Sequence, residues 1–471
     1  MGDEVKRDHY SSEDYQLFQQ KLDKEKAFVR SLFAKNSFDN RTRKLGYELE
    51  LCLLNSDGTP APFNKQILEK ADNPLFTYEL ARYNHEINGN AFDLNPRVFA
   101  QVSEDLSLLY EEVKQAASAF DVKTAMFGVF PSLTTEHMDA DRYMSDMFRY
   151  RLLEQRLMEM RERPVHLDIH GEDHLTLDMN GVMLEALSTS LQTHWQIPFD
   201  EAVDSYHASL WASMVMLAVS ANSPLVFGKQ CWMESRIAIF KQSVDTRNPR
   251  EIKDSVIPRV HFAKGYISSW LELFDDNDYY SPILPDNRDT AVEELHHFNF
   301  HNGTIWRWVR PILGCDDGGY HLRLELRVTP SGPTEIDTLA NIVFFIGLIE
   351  GLKQEPSMLT RVPFDVLNRD FYAVARDGLK AKVNWYDGSR GSIDKIILES
   401  AIPLANQGLR LLGVESASYW LDIIHNRVIS GQTGAQWILQ SWKTNRDLTA
   451  LVRQYVHNAH QNKPVHSWNV E

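Results

Sequence analysis

Four short stretches of this 471-residue chain place acids, an imidazole and guanidiniums at spacings that gather them on single faces. In Gly46-Tyr-Glu-Leu-Glu50 the flanking Leu45, Tyr47, Leu49 and Leu51 alternate as a strand does, so Glu48 and Glu50 point the same way. Like charges that close repel, and one divalent cation bound to both removes the repulsion. Glu79 and Glu86 are too far apart to share a strand face, but a turn between them lets both converge, with Asn88 close behind. In Leu191-Gln-Thr-His-Trp-Gln196 the side chains of Gln192, His194 and Gln196 share one face, a row of donors and acceptors suited to a lined cleft. In His321-Leu-Arg-Leu-Glu-Leu-Arg-Val328 the leucines and the valine fill one face, and Arg323, Glu325 and Arg327 the other. A second strand, Trp306-Arg-Trp-Val-Arg310, precedes it and adds Arg310.

Taken singly, each stretch reads equally well as a solvated face. Side by side in one sheet they would line a polar trough. Carboxylate oxygens favour Mg²⁺ or Mn²⁺ over zinc, with His194 the one softer ligand. Arginine forks onto phosphate oxygens while Glu holds a cation. Many carboxylates with several arginines are what phosphoryl transfer from a nucleotide requires.

Apolar periodicity supplies the elements that must carry these residues. Helices are expected over 12–34, 100–119, 140–162, 199–221 and 334–352, with a mostly helical remainder from 364. Strands are expected at 44–51, 84–88, 189–197, 304–312 and 321–328. Strands separated by helical insertions without a regular βαβ beat argue for α+β. Neither a Walker-type phosphate loop nor a GxGxxG fingerprint occurs.

The formal charge of −16, with no Lys/Arg run, argues against a nucleic-acid partner. Cys52, Cys231 and Cys315 fall in no metal-binding or redox spacing, and read as reduced thiols of a cytoplasmic protein. The N-terminal stretch has no apolar core of a signal peptide, and Leu210–Val219 is too short to span a bilayer, so no membrane role is expected.

The ordered set of segments resembles the type 2 glutamate–cysteine ligases, carboxylate–amine ligases related to glutamine synthetase. The matching stretches are Gly46–Glu50, Glu79–Asn88, Phe127–Pro131, Arg142-Tyr143, Leu217–Pro224, Gly228, Ser235-Arg236, Trp306–Arg310 and Glu325–Arg327. Arg427–Gly434 is similar to the closing motif of related ligases. The resemblance implies a curved, mostly antiparallel sheet and ATP with Mg²⁺ (or Mn²⁺). Glutamate would be joined through its γ-carboxylate to cysteine or another amine, by way of an acyl phosphate. It implies one metal on Glu48, Glu79 and Glu86, and another on Glu50, His194 and Glu325. Arg327, Glu325 and Glu48 would be catalytic, with Arg327 clamping the transferring phosphoryl group. Arg236, Arg310, Gln192, Asn88 and Arg323 would bind substrate or phosphate. The expected organisation is an N-terminal helical arm (1–40), a catalytic domain (41–363) and a C-terminal helical region (364–471) packed on it. A homodimer is suggested by the resemblance and by the apolar helices at 199–221 and 334–352. Two positions depart from the pattern: Gln192 stands where many relatives have His, and Pro330 where they have Asp. The rival readings are a guanidino-type phosphotransferase on a related sheet, and a nucleotide-binding regulator that has lost turnover.

Overall fold

Alternation of apolar and polar residues builds an antiparallel sheet whose one face is core and whose other face is polar. The protein was analysed as a computed structural model, which describes residues 4, 5, 7, 9–316, 318–415 and 417–470. In chain order the strands used below are β1 (Lys44–Asn55), β2 (Phe76–Tyr78), β3 (Asn84–Asn88), β4 (Phe92–Asp93), β5 (Val122–Ala125) and β6 (Val165–His170). They continue with β7 (His174–Met179), β8 (Leu191–Ile197), β9 (Leu225–Val226), β10 (Lys229–Gln230), β11 (Val309–Asp316) and β12 (Gly319–Leu326). The main sheet runs β11-β12-β8-β1-β3-β2, with β4 and β5 also paired to β1, every pair antiparallel. It curls into half a barrel, so the α+β class with a curved antiparallel sheet holds.

Leu45, Tyr47, Leu49 and Leu51 of β1, Trp195 of β8 and Leu322, Leu324 and Leu326 of β12 are all buried on the core face. Each such side chain contributes roughly 1.5–3 kcal/mol of burial free energy. Two helices, Ala202–Ser220 and Glu335–Leu352, cover that face and are buried nearly throughout. Their hydrophobicity, on which the homodimer expectation leaned, is thus accounted for within one chain. Trp195 carries its indole N–H into this layer and donates to Glu350 Oε1 at 3.1 Å. A third helix, Ile402–Leu411, packs against Glu335–Leu352 so closely that only glycine fits at the contact. A Cβ at Gly408 would stand 2.1 Å from the Gly347 carbonyl oxygen, and one at Gly351 2.1 Å from that of Leu404.

The Arg427–Gly434 stretch clamps this layer. Arg427, fully buried, donates to Asp337 Oδ1 at 2.8 Å, Asn341 Oδ1 at 2.7 Å and the Val219 carbonyl at 2.9 Å. An uninterrupted apolar core takes in Phe18 of the first helix, Leu49 of the sheet and Trp437 near the C-terminus. The first helix, Ser12–Lys35, also buries Glu25, which accepts hydrogen bonds from His297 Nδ1 at 2.6 Å and the Phe298 amide at 2.7 Å. That carboxylate sits on the first turn of the helix His296–Asn302, where a negative charge is stabilising.

Two expected elements differ. The helix expected over 140–162 is split into Ala140–Tyr143 and Phe148–Arg161. The intervening backbone instead pairs with residues 80–82, through Arg82 N–H to Tyr143 O at 2.7 Å and Ser145 N–H to Leu80 O at 2.8 Å. Tertiary hydrogen bonds override helical propensity there. The strand expected at 304–312 begins only at Val309 and runs to Asp316, because Arg307 bridges to His261 outside the sheet.

Replacing Gly408 with Ala is expected to cost about 1–3 kcal/mol through overpacking. The measurement is the urea midpoint of unfolding; an unchanged midpoint would show that the helices do not approach this closely.

Candidate active site

Strand register sets which polar side chains meet. Across the polar face, Arg310, Glu325, His194 and Gly46 form one row of directly opposed residues. Gln192, Glu48 and Asn88 form the next, and Glu50, Glu86 and Thr77 a third. Opposed side chains in such rows lie about 4.5–5.5 Å apart at Cβ. The rows line a cavity of about 710 Å³, and a smaller one of about 260 Å³ shares Glu48, His194 and Arg323 with it.

Two three-ligand clusters result: Glu48, His194 and Glu325, and Glu50, Glu79 and Glu86. This corrects the grouping implied by the resemblance, which exchanged Glu48 and Glu50. Glu50 stands directly opposite Glu86, whereas Glu48 lies one row over, beside His194. His194 Nε2 is 3.2 Å from Glu48 Oε1 and 3.9 Å from Glu325 Oε2. Neither this nitrogen nor Glu48 Oε2 has an aligned hydrogen-bond partner, although both are buried. These two unsatisfied atoms, set among five carboxylates and one imidazole, fit hard divalent cations such as Mg²⁺ or Mn²⁺.

The two clusters differ in charge balance. Burial by itself would raise Glu48, but His194 and Arg327 pull it well below the usual carboxylate range. Glu325, also buried, is brought down to about 2 by Arg310, Arg327 and His194. Both of its oxygens accept from guanidiniums, Oε2 from Arg310 and Oε1 from Arg327. The other cluster moves the opposite way. Burial, with Glu48 and Glu50 nearby, pushes Glu86 up to about 8. Burial and the charges of Glu50, Glu86 and Glu185 push Glu79 far up, and burial raises Glu50 against the pull of Arg327 and Ser190.

Gln192 joins the clusters. Its amide oxygen accepts from Arg327 Nη1 at 2.6 Å, and its Nε2 donates to Glu50 Oε1 at 3.3 Å. Ser190 donates its backbone N–H and hydroxyl to Glu50 at 2.7 and 2.9 Å. Asn88 donates to Thr77 Oγ1 at 3.0 Å, and that hydroxyl donates to Glu86 at 3.1 Å. Arg310 also donates to the Gly303 carbonyl at 3.2 Å, and Arg323 faces both cavities. Arg236 is placed differently. It lies beneath the polar face, donating to Glu234 at 3.1 Å and to the Arg327 and Val328 carbonyls, so it positions the end of β12. Pro330 packs against Gly128 and bridges to Ser190, and does not itself line either cavity. None of the cysteines is disulfide-bonded, and burial pushes the Cys52 and Cys231 thiols up to about 12.

Glu185 and Arg149 are two of the lining residues that escaped the sequence reading. Glu185, on the short turn Met183–Leu187, is raised by burial and Glu50 to about 8. Arg149, on Phe148–Arg161, lies within electrostatic reach of Glu79 and Glu185. The available signal for Glu185 was a lone acid inside the apolar run Val182–Leu187.

With buried acids and guanidiniums on one face of a half-barrel sheet, the chain falls in the class of ATP-dependent ligases that form a C–N bond. The sequence profile of glutamate-cysteine ligase family 2 matches residues 44–461, and the chain belongs to that family. It is a carboxylate–amine ligase. Its fold is similar to that of the glutamate–cysteine ligase of Francisella tularensis, solved in complex with AMP. The identity is 12%, over 92% of this chain and 91% of that one, with a TM-score of 0.59. A more distant likeness is to a bifunctional glutathione synthetase from Pasteurella multocida, at 12% identity over 89% of this chain and 53% of that one, TM-score 0.47. No curated protein sequence matches the chain significantly. Among the described residues no helix is long and apolar enough to cross a membrane.

Carboxyls raised to about 8 carry protons near neutrality that a bound cation must displace. Were Mg²⁺ the cation held there, its binding would be expected to release protons and its affinity to fall as pH drops from 8 to 6. Calorimetry in buffers of differing ionisation enthalpy reads this directly, and a buffer-independent heat would contradict it.

Proposed function

We propose that this trough joins the γ-carboxylate of glutamate to the amine of cysteine or another amino compound, through an acyl phosphate made from ATP. A carboxylate is a poor electrophile and its oxygen a poor leaving group. Transfer of the γ-phosphoryl group supplies the leaving group, the amine attacks the acyl carbon, and phosphate and ADP depart. No protein nucleophile is needed, and the work of the site is positioning and charge neutralisation.

The residues divide that work. Glu48, His194 and Glu325 would hold one divalent cation, and Glu50, Glu79 and Glu86 another. When bound, such cations neutralise phosphate charge. Arg327 is fixed on both sides, by Glu325 and by the Gln192 amide, so its guanidinium meets the developing phosphoryl charge without having to reorganise. Arg310 holds the other oxygen of Glu325. Arg323, shared by both cavities, and Asn88, in the smaller one, are suited to nucleotide or substrate contacts. Phe240, Phe300 and Trp306 also line the larger cavity, where apolar surface limits the water that would hydrolyse an acyl phosphate.

The observation that carries this reading is the convergence of acids from β1, β3 and β12 and the 79–80 turn on one imidazole and two guanidiniums.

The purified chain with ATP, Mg²⁺, glutamate and a panel of amines is expected to release phosphate and form an amide of matching mass. A stable phosphorylated acceptor would instead identify a phosphotransferase, and nucleotide binding without turnover a regulator. Glu325→Gln and Arg327→Lys are each expected to lower kcat by about 10²-fold or more, with folding intact. Undiminished turnover in either variant would remove that residue from the reaction.

A further inference from the structure

A second cluster of ligating side chains lies outside the trough, on the β6–β7 hairpin. The hairpin pairs Val165 with Met179, Asp168 with Thr176 and His170 with His174. Val165, Leu167 and Ile169 are buried, so the alternate residues His166, Asp168 and His170 face solvent, with His174 opposite them. His174 Nε2 is 2.7 Å and His170 Nε2 3.2 Å from the same atom, Asp168 Oδ1. The two imidazoles are stacked, with centroids 4.0 Å apart and planes 15° from parallel. Both rings therefore aim the same nitrogen at one point.

From this geometry we propose that Asp168, His170 and His174 form a binding site for a transition-metal ion of the Zn²⁺ class. The three ligand atoms lie within 4.8 Å of one another. Two ligand atoms on a tetrahedral ion at about 2.0–2.2 Å stand roughly 3.3–3.6 Å apart, so slight opening of the present contacts admits one. Two imidazoles and one carboxylate select Zn²⁺, Ni²⁺ or Cu²⁺ over Mg²⁺, the opposite preference from the carboxylate-rich trough.

The backbone holding these ligands is braced, which keeps the ordering cost of binding low. Asp168 N–H donates to Gln242 Oε1 at 2.7 Å, and Trp232 Nε1 donates to the His170 carbonyl at 2.9 Å. Lys229 Nζ donates to the His174 carbonyl at 3.0 Å. Gly171 packs so tightly that a Cβ there would lie 2.5 Å from the Cys231 backbone. The remaining coordination positions open to solvent, leaving room for water or a donor from outside the chain.

Equilibrium dialysis of the full chain against Zn²⁺ in excess Mg²⁺ tests the site. The His170→Ala/His174→Ala double variant is expected to hold one Zn²⁺ fewer per chain than the wild type, with ligase turnover unchanged. Equal stoichiometry overturns the proposal. A wild-type measurement guards against a misfolded variant: Zn²⁺, but not Mg²⁺, is expected to protect His170 and His174 from diethyl pyrocarbonate, read by peptide mass. Full modification of both at saturating Zn²⁺ equally overturns it.

Discussion

Mutual repulsion among buried acids is the constraint around which the rest is organised. Glu48, Glu50, Glu79, Glu86, Glu185 and Glu325 all line one cavity. Charges taken from water cost several kcal/mol each unless paired. The compensation is uneven. Arg310, Arg327 and His194 stand against Glu48 and Glu325, and those two acids are held low. Glu50, Glu79, Glu86 and Glu185 are countered more weakly, by Arg149, the far side of Arg327 and, for Glu50, Arg236, and all four are pushed up. On the proposed reading, the half of the trough less fully compensated by protein cations is where an external cation gains most by binding.

Such an arrangement is poor engineering for stability alone. Removing one partner of a buried pair strands the other, whereas well-packed apolar residues of similar volume commonly match or exceed the pair's contribution. Stability has to come from elsewhere. The opposite face of the same strands supplies it, through Trp195, Leu322, Leu324 and Leu326 packed under two buried helices that Arg427 ties together, one of them locked by glycine contacts to Ile402–Leu411. The period of two along each strand separates the two tasks, one residue for packing and the next for the trough.

Much of that was legible in the sequence, because alternation assigns a side chain to a face without knowledge of its neighbours. Glu48 with Glu50, Gln192 with His194, and Arg323 with Glu325 could be read in this way. The neighbours themselves could not. Strand order and register are long-range facts, and the pairing of Glu50 with Glu86 is what regrouped the two clusters. Glu185 and Arg149 carry no periodic signal, the first being on a short turn and the second on a helix whose start is fixed by pairing of residues 143–145 with the 80–82 segment. Arg236 has the right chemistry for a phosphate, but its Nε and Nη2 are committed to Glu234 and two backbone carbonyls, a commitment only coordinates reveal.

Gln192 stands where the resemblance leads one to expect His. An imidazole at that position would offer a metal-ligating nitrogen. The amide here instead accepts from Arg327 with its oxygen and donates to Glu50 with its nitrogen. It ligates metal weakly, but it couples the orientation of the Arg327 guanidinium to a carboxylate of the neighbouring cluster. A charge change at Glu50 is thereby transmitted to Arg327 through two hydrogen bonds rather than through a shared ion. Under the proposed mechanism, the geometry for phosphoryl transfer then depends on whether the second cluster is deprotonated.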